Sequence, residues 1–368
     1  MKRSSKNDLR IVQLIDSLEI GGAERMAVNY ANALLSRVGF SGLVTTRNEG
    51  LLKDKLNRDV SYLFLNRTRK IDFTSLLLFV KYCKTNRISH IHAHGTSFFT
   101  AVLTKILHPS IKIIWHDHNG NRAFSSGFQN NTLRIFSNFF SGIIVVNKDL
   151  EVWAKQKLAC PKVLFLSNFV VKETVSEGAI LKGVANKRIL CLANIRWQKN
   201  QTMLVEVADC IKNKYPDWTF HCVGNGLETD YGQQVQNLCK EKGLENSVFF
   251  YDGIADNATV INQAAICVLT SVSEGLPVVV LEYGLYSKPV IVTAVGELPE
   301  LIINKVNGGI VSSNASEEFC ELLSFAIENI EVREKWSAIF HQQVIENYTE
   351  DQVLSNYLNW ILNSHENS

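Results

Sequence analysis

No apolar run in this sequence approaches the roughly 20 residues that a bilayer-spanning helix requires. Runs such as Leu76–Val80 and Val278–Leu281 end after five residues or fewer, and Ala264–Leu269 reaches only six. The start, MKRSSKNDLRIVQLID, is basic, but its apolar run is too brief for a signal peptide. The eight cysteines include no Cys-x-x-Cys pair, which removes the usual zinc and thiol-redox spacings. They sit in apolar stretches and read as small core residues of a protein in a reducing cytoplasm. No short-period repeat and no low-complexity tract occurs.

What remains is an ordinary globular composition, 46% hydrophobic and 20% charged. At 368 residues the chain exceeds the size at which one core stops growing, so two domains are expected. The net charge is only +2, but it is unevenly spread. Residues 1–165 hold 24 Lys+Arg against 11 Asp+Glu, and residues 166–368 hold 14 against 25. The basic half either faces an anionic partner (membrane, nucleic acid or a phosphorylated acceptor) or simply reflects a separate domain.

Strand-like and helix-like segments alternate, the pattern of parallel sheets. RIVQLID, SGLVTT, SYLFL, SHIHAH, IKIIWH, SGIIVVN and KVLFLSN read as strands of a first series, with helical stretches such as TSLLLFVKYCKTN between them. Residues 171–187 break the alternation and read as a linker. RILCLANI, WTFHCVG, SVFFYDG, AICVLTS and PVIVTAV then form a second series, and the C-terminal end is helical. In such doubly wound units ligands bind beyond the carboxyl ends of the strands.

The unusual residues fall at those ends. In IGGAER, Gly21 and Gly22 stand between a strand and a helix, where free N–H groups attract an anion. HIHAHG places His90, His92 and His94 on one strand face, and WHDHNG does the same for His116 and His118. Such histidines are either core residues or groups that orient or exchange protons at a cleft. Zinc binding finds no acidic or cysteine partner at ligand spacing. In LANIRWQKN, Arg196 and Lys199 are cations suited to a diphosphate. VGNGLE carries Gly224 in a Gly-x-Gly loop that lacks the full dinucleotide fingerprint. FFYDG brings Tyr251 and Gly253 to another strand end. In SVSEGLPVVVLEYG, Glu274 opens a loop and Glu282 lies about two turns into an apolar helix. A carboxylate there suits the two vicinal hydroxyls of a ribose.

The segment 268–302, VLTSVSEGLPVVVLEYGLYSKPVIVTAVGELPELI, resembles the retaining glycosyltransferases of family 4, which have the GT-B fold. The resemblance extends over nearly the whole chain. Glu274 and Glu282 match the E-x7-E signature, and GGAER looks like the first loop. IHAHG and WHDHNG resemble the first-domain histidine segments, and LSNFV the start of the linker. One site departs. The family's Gly-Arg-Leu-x-x-x-Lys-Gly is here Ala193-Asn194-Ile195-x-x-x-Lys199-Asn200. Asn194 stands at the arginine position, and Arg196, expected on the same strand face, is taken to supply the charge.

The resemblance implies an α/β protein with two doubly wound, Rossmann-like domains and an interdomain cleft. Residues 1–170 would bind the acceptor and 188–345 the nucleotide-sugar, with 171–187 as linker and 346–368 as a helix packed back on the first domain. It implies a retaining, metal-independent hexosyltransferase that needs no cofactor and binds no nucleic acid. A UDP- or GDP-sugar would be the donor and a glycan or lipid-linked molecule the acceptor, in cell-surface polysaccharide or glycolipid biosynthesis. Glu282 would hold the ribose, and the backbone around Tyr251, Gly253 and Ile254 the base. Arg196 and Lys199 would neutralise the diphosphate, aided by N–H groups at Gly275 and Leu276 and, after closure, by Gly21 and Gly22. Glu274 would contact the donor sugar and His118 would orient it. Asn194 and Gly224 complete the donor-side loops. Two alternatives remain open: a nucleotide-sugar epimerase of the same architecture, and a catalytically silent nucleotide-sugar-binding protein. Arg67, Arg69, Lys70, Lys81, Lys84 and Arg87 point to peripheral, salt-sensitive attachment to an anionic membrane at the cytoplasmic face.

Overall fold

The computed structural model describes residues 6–69, 71–120, 122, 128–173, 180–252, 254 and 256–363. The chain divides into two compact units, one of Met1–Phe169 with Glu350–Ser368 and one of Val170–Thr349. The first contains β1 (Arg10–Ser17), β2 (Phe40–Asn48), β3 (Ser61–Phe64), β4 (His90–His94), β5 (Lys112–Asp117), β6 (Gly142–Val145) and β7 (Val163–Phe165). These form one sheet in the order β3-β2-β1-β4-β5-β6-β7, with every neighbouring pair parallel. Its connecting helices are α1 (Gly22–Leu34), α2 (Phe73–Thr85), α3 (Phe98–Leu107), α4 (Phe128–Phe136) and α5 (Lys148–Lys157). Parallel strands need such crossovers and are buried on both faces, which is why Ile113, Ile114 and Ile143–Val145 are consecutive apolar residues without exposure.

The second unit repeats the plan. β8 (Arg188–Leu192), β9 (Thr219–Val223), β10 (Val248–Tyr251), β11 (Ile266–Leu269), β12 (Val290–Thr293) and β13 (Gly309–Val311) lie in the order β10-β9-β8-β11-β12-β13, all parallel. Its helices are α6 (Gln201–Lys212), α7 (Asp230–Glu241), α8 (Asn257–Gln263), α9 (Val278–Leu285), α10 (Leu298–Leu301), α11 (Ser316–Glu328) and α12 (Ile330–Asn347). The chain then returns to the first unit as α13 (Glu350–Leu362). Val353, Leu354, Tyr357, Leu358 and Ile361 of α13 are buried at helical spacing. α8 and β13 have no counterpart among the expected elements. Both are short, and neither carries a clear period in sequence.

The reading of all eight cysteines as thiols needs correction. Cys210 on α6 and Cys320 on α11 form a disulfide across 110 residues, with Cα atoms 6.6 Å apart. The two helices pack side by side, so sequence separation hid the pair. The other six cysteines are free and buried. The cysteines therefore no longer argue for a reducing compartment.

The core of the first unit contains a polar layer. His92 Nε2 lies 3.2 Å from His116 Nδ1, and His94 Nδ1 lies 2.9 Å from His118 Nε2. His94 Nε2 meets Gln13 Oε1 at 2.9 Å, and His92 Nδ1 meets the Tyr357 hydroxyl at 3.1 Å. The Tyr30 ring packs edge-on against His92, with centroids 4.9 Å apart. Burial, reinforced by neighbouring imidazoles, holds His92, His94 and His116 well below the ordinary value of 6.5, and burial takes His118 to about 3. The folded unit thus keeps these rings neutral, whereas the unfolded chain protonates them near 6.5. Their contribution to stability is complete above 6.5 and is lost as pH falls from there toward the folded-state values. Each depressed histidine costs up to about 1.4 kcal/mol per pH unit in that window. The expected outcome is a melting temperature that is level above pH 6.5 and falls steeply over the unit below it. Melts followed by circular dichroism on both sides of that value check it, and a flat profile would contradict the neutral cluster.

Candidate active site

In both sheets the strand order reverses, between β1 and β4 in the first and between β8 and β11 in the second. Open α/β sheets bind ligands outside the carboxyl ends of the strands at such a point. In the second unit the loops leaving β8 and β11 are latched together there. Val272 N donates to Gln198 O at 2.9 Å, and Thr270 Oγ1 donates to Lys199 O and Asn200 O at 3.0 and 3.1 Å. Lys199 Nζ stands 2.5 Å from Glu274 Oε1, and Ser271 Oγ donates to the same oxygen at 2.6 Å. The Lys199 and Glu274 side chains are 24% and 9% exposed, so the pair is poorly hydrated yet open at one side.

The loop after β12 supports this arrangement from below. Gly296 has φ +57°, and a Cβ there would lie 2.4 Å from the carbonyl oxygens of Glu274 and Gly275. Both handedness and space demand glycine. Glu297 N donates to Gly275 O at 3.0 Å, which joins the two loops. Gly275 is half-buried and Leu276 buried, both ahead of Pro277, the N-cap of α9.

Glu282 lies inside α9 and is only 6% exposed. Asn257 Nδ2 donates to its Oε2 at 2.8 Å. Asn257 is the first residue of α8, itself buried, and its Oδ1 has no hydrogen-bond partner among the described residues. Sequence reading missed this residue. Its only signal was a polar side chain directly after the Asp256 cap, which is common at helix starts.

The expected strand-face relation between Asn194 and Arg196 fails, because β8 ends at Leu192. Asn194 Oδ1 accepts from Asn225 N at 3.1 Å, and its carbonyl accepts from Gln201 Nε2 at 3.0 Å. It therefore stitches the loop after β8 to the Gly-x-Gly loop. Gly224 permits the approach, since a Cβ there would lie 2.3 Å from Ala193 O. Arg196 is exposed and precedes the one-turn helix Trp197–Lys199. Tyr251 ends β10, with its hydroxyl 3.1 Å from His221 Nδ1 and accepting from Lys182 N at 3.0 Å. Ile254 is half-buried, and Gly253 lies outside the described residues.

In the first unit Gly21 is the N-cap of α1 and Gly22 its first residue. Nothing lies within 4 Å of a Cβ built on Gly22, whereas one built on Gly21 would run into the Glu24 carboxylate, so the turn is open at Gly22 alone. His118 follows the end of β5, half-buried and bonded to His94. The side-chain nitrogens of His92, His94 and His116 lie within 4.8 Å of one another, the one grouping among the described residues with metal-ligand proximity. Both nitrogens of His92 and of His94 are already in hydrogen bonds, and no carboxylate or thiolate joins the group to offset a cation's charge. The arrangement is that of a hydrogen-bonded core layer.

Both units match known proteins. Residues 177–342 match the family model of Glycosyl transferases group 1, and residues 20–172 that of Glycosyltransferase Family 4. An uncharacterized glycosyltransferase of Haemophilus influenzae is 24% identical over 322 residues, covering 85% of this chain and 88% of that protein. The UDP-Gal:alpha-D-GlcNAc-diphosphoundecaprenol alpha-1,3-galactosyltransferase of Escherichia coli is 25% identical over 348 residues, 87% of each protein. The crystal structure of Anabaena HepE in complex with UDP-glucose superposes with a TM-score of 0.78 at 17% identity, covering 97% of this chain and 100% of that one. With one model matched in each half and two parallel α/β units of the same fold as these structures, the chain belongs to the group 1, family 4 glycosyltransferases of GT-B fold.

Proposed function

We propose that this glycosyltransferase takes a hexose from a nucleoside diphosphate sugar bound to its second unit and transfers it with retention of anomeric configuration. The observation that carries the reading is the pairing of two poorly hydrated carboxylates with fixed polar partners at the β8/β11 switch point, Glu274 with Lys199 and Glu282 with Asn257. Glu282 accepts hydrogen bonds from the ribose hydroxyls. Lys199 and Arg196 offset the diphosphate charge, with N–H groups at Gly275 and Leu276 directed at the same anion. Glu274 accepts from hydroxyls of the donor sugar. During transfer the bond between the anomeric carbon and the β-phosphate oxygen breaks, and the acceptor oxygen bonds to that carbon on the same face. The departing phosphate oxygen takes the acceptor's proton, so no separate base is required. Stabilising that departing charge is the main electrostatic task. The Escherichia coli relative's name specifies a UDP-sugar and a diphosphate-lipid-linked acceptor, and the Anabaena structure holds UDP-glucose. Both support a UDP-sugar donor, and the Escherichia coli relative supports a lipid-linked acceptor.

Glu282→Ala is expected to weaken UDP-sugar binding by about 10- to 100-fold, the loss of charged hydrogen bonds in a poorly hydrated site. Glu274→Ala is expected to lower turnover strongly while shifting donor affinity only a few-fold. Calorimetry with UDP-glucose and UDP-galactose, beside GDP-mannose, checks both. Unchanged affinity in Glu282→Ala would remove the ribose assignment.

Transfer is expected to proceed fully in EDTA, because Lys199 and Arg196 supply the positive charge and the chain has no Asp-x-Asp pair. The assay is release of UDP with a lipid-linked acceptor present. Activity lost in EDTA and restored by magnesium or manganese would overturn the metal-independent reading. Conversion of the UDP-sugar with no acceptor present would favour epimerisation instead.

A further inference from the structure

Of the basic residues expected to meet a membrane, Arg67 is buried and paired with Asp16 at 3.3 Å, and Lys70 lies outside the described residues. The first unit's unexplained polar groups lie inside its sheet. Gln13 is the one polar residue in the apolar stretch Ile11–Ile15 of β1, and it is fully buried. A buried amide is costly to dehydrate and needs partners. Its Oε1 meets His94 Nε2 at 2.9 Å, whereas its Nε2 has no hydrogen-bond partner among the described residues. An apolar side chain would leave no such orphan, so packing alone does not call for Gln13.

The contact through Oε1 decides where the protons of two further rings lie. An amide oxygen only accepts, so His94 carries its proton on Nε2. Burial keeps His94 and His118 neutral, the second at about 3, so each ring has one N–H and one bare nitrogen. His94 Nδ1 is therefore bare and accepts from His118 Nε2, 2.9 Å away. His118 is left with its proton on Nε2 and a lone pair on Nδ1. That Nδ1 has no hydrogen bond to any described residue, and His118 is half-buried just beyond the carboxyl end of β5. Its ring is stacked on His116 and His94, with centroids 4.0 and 5.2 Å apart, which holds its orientation. The neighbouring row differs. It begins at the Tyr357 hydroxyl, which can donate or accept, passes through His92 and stops at His116 Nε2, buried and without a partner. The row from Gln13 has a fixed direction and reaches the strand end.

We propose that Gln13 is a positioning residue that acts through His94 to fix His118 as its Nε2–H tautomer, so that Nδ1 accepts a hydrogen bond from a hydroxyl of the sugar substrate. Open α/β sheets take ligands beyond the carboxyl ends of their strands, where His118 stands. A hydroxyl that donates to a bare nitrogen gains electron density at oxygen, and one that accepts from an N–H loses it. The tautomer therefore sets the sign of what His118 does to the hydroxyl. That the hydroxyl belongs to a sugar rests on the transferase reading above; the tautomer does not.

The experiment is nitrogen-15 NMR of the full chain labelled at histidine, in which couplings to the ring protons show which nitrogen of each ring is protonated. The His118 signals are assigned by their loss in His118→Asn. In wild type His118 should carry its proton on Nε2. Gln13→Met keeps the length of the side chain and removes the oxygen, which leaves the His94 N–H buried without an acceptor. The His94 proton should then move to Nδ1, the row should reverse, and His118 should carry its proton on Nδ1. Release of UDP from UDP-glucose or UDP-galactose during transfer should slow by about three- to tenfold in Gln13→Met, the loss of one hydrogen bond. A cooperative melt followed by circular dichroism shows that the variant is folded. A wild-type proton on Nδ1 would set the amide nitrogen of Gln13 against His94 and overturn the proposal. So would an unchanged His118 tautomer in folded Gln13→Met, or unchanged turnover beside a reversed one. The wild-type spectrum requires neither a variant nor turnover. A chain that transfers sugar from neither donor would count against the UDP-sugar reading, and the tautomer would still be decided.

Discussion

Glu282 places a carboxylate where water hardly reaches, among the apolar residues of α9. A charge in that position must be compensated or it raises the cost of folding by several kcal/mol. Much of the second unit's local design answers that requirement. α8 is brought under the carboxyl ends of the sheet, and its first residue, Asn257, turns an amide donor onto the carboxylate. The apolar neighbours that make the glutamate look misplaced also keep water away, so its hydrogen bond from Asn257 is worth more than it would be in solution.

The same constraint governs Glu274, which solves it differently. Its partner Lys199 and its hydrogen-bond donor Ser271 come from two loops, and each loop is stitched to the other through Thr270 and Val272. A third loop is fixed beneath them through Gly296, which only glycine can occupy. Three strand ends are therefore one mechanical piece, and the ion pair is positioned by backbone hydrogen bonds in addition to its own attraction. That matters because a pair on long side chains without such support would lose much of its gain to side-chain entropy.

The alternation of strands and helices was legible because parallel strands buried on both faces leave short, uniformly apolar runs, as in RILCL and PVIVT. The two glutamates were legible because a carboxylate in an apolar helix breaks its own pattern. What escaped notice follows from geometry that sequence spacing does not carry. Asn257 reaches Glu282 across 25 residues and Cys210 reaches Cys320 across 110. Arg196 was assigned to a strand that stops four residues earlier, since nothing in LANIRW marks where pairing with β9 ends. Arg67 counted as a surface cation, although Asp16 draws it into a buried pair.

Residues that break their local pattern thus fall into kinds that burial separates. His92, His94 and His116 break the apolar run of a core sheet, yet they are buried, and their ring nitrogens, His116 Nε2 excepted, are bonded to one another, to His118, to Gln13 and to Tyr357. Their polarity also gives α13 a specific partner, since a hydroxyl opposite an imidazole fixes register more strictly than apolar contact alone. Glu274 and Glu282 are poorly hydrated and each is held by a fixed polar partner, Lys199 for the first and Asn257 for the second. Phe73 and Leu77 are neither buried nor paired, and no feature of the first unit's interior needs them.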